Sequence, residues 1–157
     1  MSGRAVAIDL DGALADTRPL WEAWLESAAA VLPVAPSSLP ADRGAAAAEL
    51  DRLGAGNWRT LLGRFSEDRV AVYLRREPAV GSALRALAEV GSEIGVFTDA
   101  PEPLARVALA QLGAARRVTA LEVGAGALER LLERLGDDVV VVRTRDELVA
   151  YASTPAS

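Results

Sequence analysis

The sequence predicts an α/β fold, a three-layer arrangement with a Rossmann-like parallel sheet and an inserted helical block. Short apolar runs alternate with amphipathic helical patterns, which favours parallel strands joined by right-handed crossovers. Polar residues follow several of these runs directly, as is typical where buried parallel strands reach the carboxyl edge of their sheet. Residues 18–76 show helical spacing without a strand pattern, which indicates an insertion after the first strand.

The composition excludes several classes of chemistry. The 157 residues suit one domain and include no cysteine, histidine or lysine. Disulfides, thiolate or histidine metal sites, Ser-His triads and a P-loop lysine are therefore excluded. Carboxylates, hydroxyls, arginines, backbone amides and a hard metal bound by oxygen remain available.

Charge and hydropathy limit the partners and the compartment that we expect. The net charge is −5 and the chain has no basic cluster, which argues against a nucleic-acid partner. No apolar run approaches the ~20 residues of a membrane span, and the N-terminus lacks the layout of a signal peptide. We expect a cytoplasmic protein with no membrane contact.

The first predicted strand ends in two nearby acids. Four apolar residues after Arg4 lead into Asp9, and Asp11 and Gly12 follow. Side chains two residues apart on an extended chain point the same way, so the two carboxylates should share one side. Like charges held this close repel unless a cation lies between them or one is protonated. The alternative is structural, because Asp-Gly is also a common turn dipeptide.

The predicted helices of the insertion are amphipathic and span 18–32, 41–53 and 58–73. Their three tryptophans are expected to form a core, and the alternative is that some of them form a wall of the site. After the insertion, helices are predicted at 81–91 with Ser82 as the N-cap, 101–112, 127–135 and 146–151. The remaining strands are predicted at 93–99, 118–123 and 139–142, and 153–157 as a frayed tail.

Several polar residues are expected to converge at the carboxyl edge of the sheet, where ligands bind in open parallel folds. They are Asp9, Asp11, Thr98, Asp99, Arg143, Thr144 and Arg145. If Arg143 points inward, it would pair with Asp9, lower the pKa of that carboxyl and take the place of a metal ion.

Residues Val6–Thr17 resemble the first motif of the haloacid dehalogenase-like (HAD) hydrolases, although Ala13 stands where that family has Thr or Val. The resemblance implies that Asp9 is a nucleophile that attacks a phosphoryl group and that Asp11 is the general acid and base. It implies Mg²⁺ held by the Asp9 carboxylate and the Asp11 backbone carbonyl. It also implies a HAD-like core of residues 1–17 and 77–157 with a helical cap of residues 18–76.

The other motifs of the family match less well. Thr98 matches the second motif, and with Asp99 and Gly12 it is the implied phosphate-binding set. Where the family has a Lys or Arg before a helix, this chain has 124–126, Gly-Ala-Gly. Thr144 stands where a metal-binding acid is expected, so Asp146 or else Glu147 is the replacement, unless these acids only cap the last helix.

Two functions remain open. The resemblance implies a Mg²⁺-dependent hydrolase, weakened by its altered motifs, that acts on a small phosphorylated molecule through an aspartyl-phosphate. The rival is a catalytically inactive HAD-like protein that binds a phosphorylated ligand or a protein partner. A receiver-type phosphoacceptor domain fits neither the helical insertion nor the missing lysine. A homodimer through the tryptophan-rich cap is a further expectation.

Overall fold

The computed structural model describes residues 4–154, and its centre is a four-stranded parallel sheet. The strands are β1 (Ala5–Asp9), β2 (Ile94–Thr98), β3 (Ala120–Val123) and β4 (Val139–Val142), in the order β3-β2-β1-β4. The central strands are buried on both faces, which explains their continuous apolar runs. The predicted α/β class with a Rossmann-like parallel sheet is confirmed.

Seven α-helices accompany the sheet within residues 4–154. They are α1 (Arg18–Ala28), α2 (Arg43–Arg52), α3 (Trp58–Tyr73), α4 (Pro78–Glu89), α5 (Glu102–Gln111), α6 (Ala127–Leu135) and α7 (Arg145–Ala152). Leu131 of α6 packs with Ala7 and Phe97 on one face of the sheet. The other face shares a larger core with helices that include α4, α5 and α7. None of the helices within 4–154 is long and apolar enough to cross a membrane.

The helical insertion packs around its tryptophans. Trp24 lies between Trp21 and Trp58, with ring centroids 5.3 and 6.0 Å away, and all three side chains are buried. The prediction that they form a core is therefore confirmed. Helix α3 also packs closely against α5, so this block shares its core with the sheet-bearing part of the chain. The division into a core and a cap of residues 18–76 stays a prediction.

Several predicted boundaries differ from the structure by one to four residues, and three of them are described here. Helix α1 ends at Ala28 and not at residue 32. Helix α4 begins at Pro78, because proline suits the first turn, so Ser82 lies inside the helix and its assignment as N-cap is wrong. Strand β3 begins at Ala120 and not at residue 118. Part of the predicted tail, 155–157, and the first three residues of the predicted core lie outside the described residues.

Gly95 gives a test of how closely helix α6 approaches the sheet. A Cβ atom on Gly95 would lie 2.7 Å from Leu131 Cδ1 and 2.9 Å from Leu135 Cδ1. We expect Gly95→Ala to lower the free energy of unfolding by about 1–3 kcal/mol in urea denaturation, because the leucines must shift. Gly81→Ala is the matched control, since a Cβ there meets nothing within 4 Å and alanine favours its helix. Equal effects of the two substitutions would contradict the close approach.

Candidate functional site

Asp9 is the last residue of β1, and Asp11 lies in the irregular helical turn that follows, Leu10–Leu14. The Asp11 amide donates to Asp9 Oδ1 at 3.1 Å. Gly12 has φ +119°, and a Cβ atom there would lie 2.5 Å from the Arg143 carbonyl oxygen at the end of β4. The turn therefore depends on glycine, both for its backbone conformation and for its approach to the neighbouring strand.

Four donors surround the carboxylate of Asp11. Oδ1 accepts from the Thr17 amide at 2.8 Å and from the Thr17 hydroxyl at 2.7 Å. Oδ2 accepts from Arg43 Nη2 at 2.5 Å and from the Thr98 hydroxyl at 2.9 Å. The side chain of Asp11 is only 4% exposed. This carboxylate thus has its hydrogen-bonding capacity filled by the protein itself.

Arg43 is the cation of this network and comes from the first turn of α2. Its side chain is 2% exposed and also binds Asp99, with Nη2 and Nε 2.8 and 3.2 Å from Oδ1. Its Nη1 donates to the Thr17 hydroxyl at 2.6 Å, and its backbone amide donates to Asp99 Oδ2 at 3.0 Å. One guanidinium therefore ties together the turn after β1, the end of β2 and the helical block.

The start of α2 is seated directly on the loop before α6. A Cβ atom on Gly44 would lie 2.5 Å from the Ala125 backbone nitrogen, so only glycine permits this approach. Asp42 ends the preceding segment by accepting from the Ala45 amide at 2.8 Å, which starts the helix at this place. This close packing of α2 against the loop places the Arg43 side chain in the site.

Arg43 was not among the predicted site residues. Its helix is alanine-rich and its sequence surroundings match no motif. The signal that was available is its position three residues before Ala46 and seven before Leu50, both buried on the inner face of α2. A charged residue in register with a buried helix face indicates a buried ion pair, because buried charges require partners.

Asp9 differs from Asp11 in its surroundings. Its side chain is 22% exposed and borders a cavity of about 250 Å³. Burial, followed by the neighbouring charge of Asp11, raises the pKa of Asp9 to about 6, although the Asp11 amide and Arg143 act in the opposite direction. The charge of Arg143 lowers the pKa of Asp9, as expected, but burial and the charge of Asp11 outweigh it, so the net shift is upward. Arg143 Nη1 lies 4.0 Å from Asp9 Oδ2, too far to offset burial.

The pKa of Asp11 moves the other way. Burial by itself would raise it, but the charge of Arg43 and the hydrogen bonds from Thr17 and Thr98 outweigh burial and hold the pKa of Asp11 below its usual range. Asp11 is therefore ionised at neutral pH and has no proton to give. The two acids of the first motif thus have opposite electrostatic environments.

The remaining predicted site residues are placed as follows. Thr98 and Asp99 lie at the cavity, but Thr98 donates to Asp11 and Asp99 accepts from Arg43. Thr144 caps α7 by accepting from the Glu147 amide at 3.1 Å. Asp146 lies exposed in the first turn of α7, and it is not among the residues that border the cavity. The structure brings Asp9, Asp11, Thr98 and Asp99 together and leaves Asp146 apart.

The residues present do not fit the Mg²⁺ ion that the resemblance implies. Within residues 4–154, no group of three or more acidic side chains is arranged to hold a metal ion. Of the implied ligands, the carboxylate of Asp9 has the guanidinium of Arg143 4.0 Å away, and Asp146 does not border the cavity. Mg²⁺ prefers an oxygen shell with carboxylates, and arginine next to these acids disfavours a second cation.

The Arg43–Asp11 pair makes a prediction about stability. We expect Arg43→Ala to lower the free energy of unfolding by about 3–5 kcal/mol, because it leaves a buried, unpaired carboxylate. The double variant Asp11→Asn with Arg43→Met should recover most of this loss, since neither residue then carries a charge. Both are measured by urea denaturation.

Arg106→Ala provides the matched control, because Arg106 belongs to an exposed ion pair with Glu102 and its side chain is 65% exposed. It should leave the urea midpoint nearly unchanged. A loss below about 1 kcal/mol for Arg43→Ala, comparable to an exposed pair, would contradict the network described here.

Comparisons with known proteins find the fold but no sequence family. No family model and no curated protein matches the chain. Among solved structures, CbbY from Rhodobacter sphaeroides, in complex with phosphate, aligns over 88% of this chain and 76% of its own, with TM-score 0.63 and 17% identity. A HAD phosphatase from Thermococcus onnurineus aligns over 96% and 83%, with TM-score 0.54 and 16% identity.

A third similar structure, a protein from Thermotoga maritima assigned as a beta-phosphoglucomutase, aligns over 95% of this chain and 81% of its own. Its TM-score is 0.57 and its identity 21%. Identities this low speak for the fold and not for a shared activity. These structural alignments and the parallel sheet show that this chain has the haloacid dehalogenase-like fold.

Proposed function

We propose that this chain is a HAD-like protein that does not hydrolyse phosphate esters, and that Asp11 of its first motif serves an internal ion-pair network instead. The observation that carries the proposal is the Asp11 carboxylate, which is buried and bound by four donors. A general acid must hold a proton near the working pH and reach the leaving group. Asp11 in this setting holds no proton, and both of its carboxylate oxygens already accept hydrogen bonds within the protein.

The electrostatics of the cavity support the same proposal. Phosphoryl transfer depends on neutralising the charge of the transferred group, for which cations are required. Five acids border the cavity, namely Asp9, Asp11, Asp42, Asp99 and Glu129. Arg18 also borders it, and Arg143 lies 4.0 Å from Asp9. Arg43 is already ion-paired with Asp11 and Asp99. A phosphate dianion would therefore meet net negative charge, which also disfavours a phosphorylated ligand.

A Mg²⁺-dependent phosphohydrolase is the second candidate, and one observation favours it. Asp9 is partly exposed at the carboxyl edge of the sheet, and it borders a cavity, as a nucleophile would. The fold shared with a HAD phosphatase supports this candidate at the level of architecture. It would require α2 to withdraw Arg43 from Asp11. The proposed cap, residues 18–76, would then be the part of the chain that moves.

An activity assay separates the two candidates. With p-nitrophenyl phosphate and Mg²⁺, we expect the same background rate from the wild type and from Asp9→Asn. A wild-type turnover that Asp9→Asn abolishes would overturn the proposal in favour of the hydrolase. Arg43→Ala and the double variant Asp9→Asn with Arg43→Ala extend the test. Turnover that appears in the first and is lost in the second would reveal a hydrolase held inactive by Arg43.

The raised pKa of Asp9 predicts a pH dependence of stability. The folded protein binds a proton at Asp9 up to about pH 6, whereas the unfolded chain releases it near 3.8. The free energy of unfolding should therefore fall as the pH rises through this window, because the folded state holds more protons there. We expect Asp9→Asn to flatten this slope and to be more stable than the wild type at pH 7.5, by about 1–3 kcal/mol.

The measurement is urea denaturation of both proteins at several pH values between 4 and 8. Asp68→Asn, which changes an exposed acid of α3, is the control and should leave the pH profile as it is. Parallel profiles for the wild type and Asp9→Asn would show that Asp9 does not titrate in this window.

A further inference from the structure

Strand β4 forms one edge of the sheet. Among residues 4–154 it pairs with β1 and with no other strand. Backbone N–H and C=O groups on the outer side of such a strand offer a template for another strand. Val139, Val140 and Val141 are only partly buried, although they are apolar and belong to or border the two cores of the sheet.

The opposite edge, β3, is protected in a way that β4 is not. Glu122 lies within β3 and binds Arg130 and Arg134 at 3.0 and 2.7 Å. Arg130 also donates to the carbonyl oxygens of Val123 and Ala125. Charged side chains on an edge strand discourage pairing with another chain. The four residues of β4 are all valine and provide no such charge.

The charges that flank β4 identify its occupant. Asp137 and Asp138 precede the four valines, and Arg143 and Arg145 follow them closely. A parallel copy of this segment would place like charges side by side. An antiparallel copy places acids opposite arginines at both ends, so the segment is complementary to itself. Opposite charges across strands stabilise a pair, whereas like charges directly opposite destabilise it.

The alternation of side chains narrows the register. Val139 and Val141 border the core under α6, whereas Val140 and Val142 belong to or border the core on the other face. Residues directly opposite in an antiparallel pair lie on the same face, which excludes every second register. Of the two allowed registers nearest the centre of β4, one places Asp137 opposite Arg143 of a second copy. The other would need Arg145 in an extended conformation, but Arg145 begins helix α7.

We propose that β4 is an interface on which a second copy of this chain adds its own β4 antiparallel, forming one continuous sheet around a two-fold axis. This interface is independent of the non-hydrolytic function proposed above. It also differs from the dimer through the helical block that the tryptophans suggested, since its contacts lie at the sheet edge. Arg143, whose Nη1 lies 4.0 Å from Asp9, would place the interface at the rim of the cavity.

The first test is the mass of the wild type in solution. Sedimentation equilibrium from about 1 to about 200 µM should show a mass that rises with concentration towards twice the 16.4 kDa of one chain. Hydrogen exchange at the two ends of this range should show added protection of β4 amides at high concentration. A monomer at every concentration would overturn the proposal.

A charge swap tests the contact itself. Asp137→Arg should weaken dimerisation about tenfold or more, because arginine then faces arginine, and the double variant Arg143→Glu with Arg145→Glu should weaken it similarly by opposing acids. An equimolar mixture of these two proteins should dimerise again, since both ends of the mixed pair then join unlike charges. Far-UV circular dichroism of each variant checks that it is folded.

The matched controls are the single reversals Glu102→Arg and Arg106→Glu, which change an exposed ion pair on α5. They should leave dimerisation unchanged. A dimer that withstands all the β4 variants, or a mixture that stays monomeric, would place the contact elsewhere, for example on the helical block, and would overturn the proposal. Concentration-dependent protection confined to the helical block would have the same meaning.

Discussion

The buried contact between Arg43 and Asp11 is the interaction on which the rest of the site depends. It joins three parts of the chain that are far apart in sequence, namely the turn after β1, the end of β2 and the start of α2. Burying two charges is costly, and the cost is offset only when the partners and their remaining hydrogen bonds are well placed. Here Thr17, Thr98 and Asp99 supply those bonds. The position of the helical block over the sheet is therefore linked to the ionisation of one carboxylate.

The contact between Arg43 and Asp11 also explains why a HAD-like fold need not carry out HAD-like chemistry in this chain. The acids follow β1 and the threonine ends β2, where the resemblance to HAD-like hydrolases predicts them, yet in the structure both Thr98 and Arg43 donate to Asp11. What is left facing the cavity is Asp9, whose pKa burial raises to about 6. An acid bound within the protein, beside a cavity that keeps net negative charge, supports the non-hydrolytic function proposed above, because phosphoryl transfer requires cations.

The two edges of the sheet differ in where their charged residues lie. At β3, Glu122 and two arginines neutralise one another across the edge, whereas at β4 the charges stand outside the strand, acids before it and arginines after it. In the first pattern, Glu122 and the two arginines are paired within one chain. In the second, Asp138 pairs with Arg4 within the chain, whereas Asp137 and Arg143 would face opposite charges on an antiparallel copy. This edge, and not the other, is therefore inferred to meet a second copy.

The sequence by itself determined the α/β class, the strands and helices within a few residues, the tryptophan core and the place of the two acids at the end of β1. These follow from local periodicity and from the rule that parallel strands end at one edge, which need no knowledge of distant contacts. Only the tertiary structure decided that Arg43 enters the site and that Asp146 stays outside it. The depth of burial that gives Asp9 and Asp11 opposite pKa shifts also depends on contacts between residues distant in sequence. Arg43 lies 32 residues from Asp11 and 56 from Asp99, and no local pattern records that separation.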